Sequence, residues 1–169
     1  FKFTERSATH LDLDNHGVNV AMGLKYGVIR SLLTGDPKDR ASIEMMLEKL
    51  DHYHGQATGI YTCDEHLGGR NPSQGTELCT VVEALYSLEL VASVTGSGRI
   101  GDRIESLAFN ALPATFKKDM SAHQYDQQTN QVICSRAGEH VYTSNGPDSN
   151  LYGLEPNFGC CTANYHQGW

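Results

Sequence analysis

Three features of the chain predict a mainly α fold. Four segments carry apolar residues at helical spacing, two of these runs stop at the same Thr-Gly pair (Thr34-Gly35 and Thr95-Gly96), and β-type patterning is confined to a short stretch after Phe116. The repeated pair suits a fold built by repeating helical hairpins.

Asn15 reads as the cap of a first helix from about His16 to Leu33. Val18, Ala21, Met22, Val28, Ile29, Leu32 and Leu33 give it a broad apolar face, and Gly35 ends it. Asp36-Pro37 restarts the chain as a cap followed by proline in the first turn. Ile43, Met46, Leu47 and Leu50 form the buried stripe of a second helix that ends near Gly55. Residues 56–75 then form a loop rich in Gly, Pro, Asn and Ser, and a loop of this length between regular helices is often functional. It carries Asp64, Glu65 and His66.

Thr76 reads as the cap of a third helix, which puts Glu77 and Cys79 in its first turn. Leu78, Val81, Val82, Leu85, Leu88 and Ala92 supply its apolar positions as far as Thr95. Ile100, Ile104, Leu107, Ala108 and Ala111 mark a fourth helix that ends before Pro113. Beyond Phe116, residues 123–127 and 131–135 flank Gln128-Thr129-Asn130 as a short β-hairpin, residues 137–158 are loop, and Cys160-Cys161 opens a further helix. Residues 1–116 thus read as helical hairpins, 117–161 as a β/loop insertion, and 162–169 as the start of another helix.

The 169 residues are 39% hydrophobic and 20% charged, enough for one domain with a real core. With 13 Lys and Arg against 20 Asp and Glu the net charge is −7, the wrong sign for a phosphate-tracking surface, so nucleic acid is not an expected partner. No stretch reaches the roughly 18 consecutive apolar residues of a membrane span, so no membrane association is expected either. The chain begins Phe1-Lys2-Phe3-Thr4 without an initiator Met or signal-peptide pattern, and ends at Trp169 just inside a new helix. It reads as a piece of a longer protein, and any homodimer would form through regions outside it.

Five cysteines is an odd number for a closed disulfide framework, and the neighbours Cys160 and Cys161 are too close along the chain to bridge each other. With no Asn-x-Ser/Thr sequon present, a reducing compartment such as the cytoplasm fits better than a secreted one. Glu77, Cys79, Cys160 and Cys161 together offer one carboxylate and three thiols, a complete four-ligand set for zinc. A thiol in the first turn of a helix is acidified by the helix dipole, which favours metal binding or nucleophilicity at Cys79. The competing reading is that these cysteines are small buried hydrophobes, since the Cys-x-x-Cys spacing of structural zinc modules is absent.

Thr76-Glu77-Leu78-Cys79 before a long helix, with Gly159-Cys160-Cys161-Thr162-Ala163-Asn164 opening another, resembles the core of the β-L-arabinofuranosidase family of glycoside hydrolases, family 127. His16-Gly17-Val18 at a helix start resembles a further element of that family. The resemblance implies that the chain is the later part of an (α/α)6 barrel in a retaining glycosidase. It implies zinc held by Glu77, Cys79, Cys160 and Cys161, with Cys160 doubling as the nucleophile and a carbohydrate, β-L-arabinofuranose or a related plant sugar, as substrate. It makes Glu65 the acid/base, with Asp64 as rival, and makes His16 and Tyr125 sugar contacts.

Taken alone, Asp64, Glu65 and His66 are solvated loop groups, His16 is a capping or surface residue, and Tyr125 packs in a strand. Cys63 and Cys134 have no counterpart in the resemblance and read as structural. Two other functions stay open: a helical protein with a structural zinc site and no chemistry, and a thiol redox or disulfide-bonded protein.

Overall fold

The computed structural model describes residues 16–131, 133–136, 146–155 and 158–168. The expected Asn15 cap lies outside them. The elements in order are α1 (Gly17–Gly23), α2 (Tyr26–Thr34), α3 (Pro37–His54), β1 (Gly75–Glu77), α4 (Leu78–Thr95), α5 (Gly98–Ser106), β2 (Asp126–Gln128) and α6 (Gly159–Asn164). Among the described residues the fold is mainly α with one two-stranded sheet.

α4 is the central helix, and α1, α2, α5 and α6 all pack on it. Leu78 through Leu85 are buried all the way round, because a helix surrounded by other helices has no solvent face to keep polar. By length and mean hydropathy (1.5 over 18 residues) α4 could cross a membrane, although no run of 18 apolar residues occurs; here 61% of it is buried inside the protein as the core helix. α2 and α3 form the expected hairpin. Gly35 ends α2 at φ 67, and the Asp36 carboxylate accepts from the Lys38 N–H at 2.9 Å to cap α3, with Pro37 in the first turn.

Four expected elements are corrected. The single helix 16–33 is two helices, bent at Leu24-Lys25 between Gly23 and Gly27. Gly27 lies so close to α3 that a Cβ there would sit 2.0 Å from the Ser42 hydroxyl. The bend turns Lys25 onto α4, where it donates to Ser87 at 3.1 Å. Its broad apolar face is buried only in part: Val18, Ala21 and Val28 are covered, but Met22, Ile29, Leu32 and Leu33 are exposed.

Thr76 does not cap α4. Its hydroxyl donates to the Tyr61 carbonyl at 3.2 Å, and Gly75–Glu77 is a strand, so α4 begins at Leu78 with Glu77 in the cap position and no side-chain cap hydrogen bond. The hairpin of 123–127 with 131–135 is replaced by antiparallel pairing of β2 with β1, in register Gly75↔Gln128, Thr76↔Gln127 and Glu77↔Asp126. Gly75 permits this partner, since a Cβ there would meet the Asp126 carboxylate at 1.9 Å. The fourth helix does not stop before Pro113. It widens into a π-turn at Leu107–Ala111 and runs on through Leu112–Ala114, the irregular turn accommodating a proline that has no N–H to give.

Candidate metal centre

Long-range backbone pairing holds the start of α4. The Glu77 N–H donates to the Cys63 carbonyl at 2.8 Å, the Leu78 N–H to Tyr125 at 2.8 Å, and the Cys63 N–H to Gly75 at 2.9 Å. The beginning of α1 closes over this corner, with Gly17 so near Cys63 that a Cβ would lie 2.1 Å from its sulphur. Glu77 is left only 2% exposed, a burial a carboxylate tolerates when it is protonated or bound to a cation.

α6 brings the other thiols. Cys161 Sγ lies 3.3 Å from Cys79 Sγ, 82 positions away in sequence, and Cys160 Sγ lies 4.0 Å from Cys161 Sγ. One donor atom from each of Glu77, Cys79, Cys160 and Cys161 lies within 4.8 Å of all the others, so the group could hold a metal ion. Two sulphurs on one tetrahedral zinc, at about 2.3 Å each, stand about 3.8 Å apart. The two thiol spacings, 3.3 and 4.0 Å, straddle that value. All five cysteines are free thiols, with Cys63, Cys79 and Cys161 buried and Cys134 and Cys160 exposed.

Electrostatics distinguish the four candidate ligands. Burial, with the nearby charges of Glu65 and Cys160 acting in the same direction, pushes Glu77 up to about 8. The hydrogen bond shared by the neighbouring sulphurs lowers exposed Cys160 to about 6 and raises buried Cys161, so the thiolate charge rests on the sulphur nearer solvent. A cation here would displace the protons that Glu77 and Cys161 hold.

Beside this group stands Glu65, with a φ of 68 that is unusual for a residue other than glycine. Its carbonyl accepts from the Gly17 N–H at 3.0 Å and from the Cys63 thiol at 3.4 Å, which holds the backbone in that conformation. Its half-exposed carboxylate has Oε1 3.1 Å from His16 Nε2, and Oε2 accepts from the Tyr125 hydroxyl at 2.5 Å. The same hydroxyl lies 3.4 Å from Glu77 Oε2, so Tyr125 links the two carboxylates. Phe158 stacks on the Tyr125 ring at 3.9 Å and burial raises its phenol, so the hydroxyl stays protonated and donates.

Glu65, His16 and Tyr125 are therefore brought to the edge of the metal group. Asp64 is 3% exposed and lies outside it. Cys134 is remote in role, its thiol donating to the Asn150 carbonyl at 3.0 Å. Sequence reasoning missed three supporting groups. Asn164 Nδ2 donates to Cys79 Sγ at 3.5 Å, and its place one turn after Cys161 on α6 was a usable signal. His123 joins the strand region to α6 through Thr162 Oγ1 at 3.1 Å, and Cys63 approaches Glu77 Oε2 at 4.0 Å; nothing in their local sequence announces either. Compared with protein-family models, with curated proteins and with solved structures, the chain matches none of them.

Proposed function

We propose that the chain is part of the catalytic (α/α)6 barrel of a retaining glycoside hydrolase, similar to the family 127 β-L-arabinofuranosidases, with zinc held by Glu77, Cys79, Cys160 and Cys161. The observation that carries this reading is the convergence of a three-thiol, one-carboxylate group, buried except for Cys160, with a half-exposed Glu65 carboxylate at its edge. Zinc bound there would keep the ligating thiols deprotonated at neutral pH. Cys160 is the ligand exposed to solvent and the one whose thiol is already acidified, so it is the ligand suited to leave and attack.

In this reading the Cys160 sulphur forms a bond to the anomeric carbon as the bond to the leaving oxygen breaks, and Glu65 gives that oxygen its proton. Water then loses a proton to Glu65 and attacks the same carbon, releasing the Cys160 thiolate. His16 and Tyr125 hold Glu65 between them, one on each carboxylate oxygen. His16 Nδ1 has no hydrogen-bond partner among the described residues, so the tautomer of the ring is free to follow Nε2, which can donate to Glu65 or accept its proton.

A panel of aryl pentofuranosides tests the reading on the longest available form of the protein. Hydrolysis lost in both Cys160→Ala and Glu65→Gln, with a covalent sugar adduct on Cys160 detected by mass spectrometry, supports it. Stoichiometric zinc with no hydrolysis of any glycoside would leave a structural Zn(Cys)3Glu site, the alternative that the four-ligand set also fits.

A further inference from the structure

We propose a second divalent-cation site, built from His16, Glu65 and Glu77 and sharing Glu77 with the thiol group. One ligand atom from each of the three residues lies within 4.8 Å of the other two, which suits a single ion. His16 Nε2 and Glu65 Oε1 are 3.1 Å apart, and two such atoms bound at about 2.1 Å to one ion stand about 3.0–3.4 Å apart between octahedral and tetrahedral angles. An imidazole with two carboxylates is a zinc donor set of the kind that leaves a coordination position open.

Charge favours the second ion. With one zinc on the three thiolates and Glu77, and with Glu65 ionised, the cluster still carries three net negative charges in a site where Glu77, Cys79 and Cys161 are 2% exposed or less. Lys25, the cation nearest along α1–α2, is turned away to Ser87 and Glu83, and among the described residues the base in hydrogen-bond reach of the Glu65 carboxylate is His16. A cation between His16, Glu65 and Glu77 removes two of those charges, with Glu77 offering one oxygen to each ion. The site is half-open, since His16 and the Glu65 side chain are 30% and 44% exposed, so its ion exchanges more readily than the buried one. On the function proposed above, an ion here occupies the acid/base, and excess zinc inhibits.

Zinc alone is the probe, titrated into the purified metal-free protein with a chromogenic chelator as competitor and native mass spectrometry for stoichiometry. Two equivalents are expected, a tight one and a weaker one. His16→Ala and Glu65→Gln are expected to weaken the second by more than about tenfold and to leave the first unchanged. Cobalt(II) substitution separates the two, because a thiolate-to-cobalt absorption band reports only the cysteine-bound ion and also shows that each variant is folded. Stoichiometry that stays at one under large zinc excess, or a second equivalent that both variants retain at full strength, overturns the proposal. Absence of the thiolate band sinks the first centre instead, so the two failures are distinguishable.

Discussion

At its C-terminal end α4 stops on local chemistry. Gly96 takes φ 64 and returns its N–H to the Ala92 carbonyl at 2.8 Å, while the Thr95 hydroxyl donates to Val91 and accepts from Ser97. α2 stops the same way, with Thr34 donating to Arg30 and accepting from Asp36. At its N-terminal end α4 has no side-chain cap, and the groups around Glu77 come from the Gly17 corner, the 63–65 loop, β2 and α6. Apart from Arg40, whose guanidinium donates to the Thr95 carbonyl at 3.5 Å, one end is satisfied by hydrogen bonds between residues two to four positions apart and carries none of the candidate site's chemistry. The other gathers distant residues, buries acidic groups together, and carries all of it.

The largest effect should come from breaking the distant end at its metal group. Cys161→Ala removes a buried candidate ligand and is expected to lower zinc affinity by at least about 100-fold, with the thiolate-to-cobalt band weakened, while Cys134→Ala leaves both unchanged. Retention of full affinity in Cys161→Ala would show that the cluster is only a packing contact.

The same contrast explains what was legible in the sequence. The caps at Gly35, Asp36 and Gly96 and the stripes of α3 and α4 depend on residues a few positions apart, and periodicity with cap chemistry reveals them. Thr76 misled because its hydroxyl is claimed by Tyr61, 15 positions away, and the hairpin at 123–135 misled because residues 126–128 pair instead with Gly75–Glu77, about 50 positions away in sequence. Exposed Ile29, Leu32 and Leu33 show periodicity without burial: the pattern marks a helix face, and not what covers it. The grouping of Glu77, Cys79, Cys160 and Cys161, which could hold a metal ion, was readable from donor chemistry and from the unusual Cys-Cys pair. The linkage of Glu65 to Glu77 through Tyr125 was not, because it is a contact across 60 positions.

A steric test sharpens the comparison next. Gly75→Ala drives a methyl group into the Asp126 carboxylate at the N-terminal end and is expected to cost about 3 kcal/mol in urea unfolding, with weaker zinc binding because β1 positions Glu77. An unchanged unfolding midpoint would mean that the β1–β2 pairing is not what holds this end.

Acid-base behaviour belongs to the same end. In the metal-free protein Glu77 is raised from 4.5 to about 8, so above pH 4.5 the folded chain keeps a proton that the unfolded chain releases. The unfolded state then binds fewer protons, and the stability from this group falls as pH rises. Cys160, lowered to about 6, works in the opposite sense above that pH, so the fall from Glu77 is clearest between about pH 4.5 and 6. Urea midpoints of the metal-free protein are expected to decline with pH across that window and to flatten in Glu77→Gln. Zinc affinity should run the other way and rise with pH, because the ion takes the place of protons on Glu77 and Cys161. A metal-free midpoint that rises between pH 4.5 and 6 contradicts the buried, protonated Glu77.

The smallest effect is expected at the local end. A Cβ at Gly96 meets nothing within 4 Å, so Gly96→Ala encounters no clash and pays only for a φ of 64 that L-residues disfavour, about 1 kcal/mol. Thr95→Ala loses two hydrogen bonds at a half-buried turn and is expected to cost about the same. Neither should alter zinc affinity or the cobalt band, because α4 runs 18 residues from the site to this turn and its first turns are packed on every side. Loss of metal in Gly96→Ala at unchanged global stability would show that strain travels the length of α4, and the two ends would then have to be treated as one coupled element.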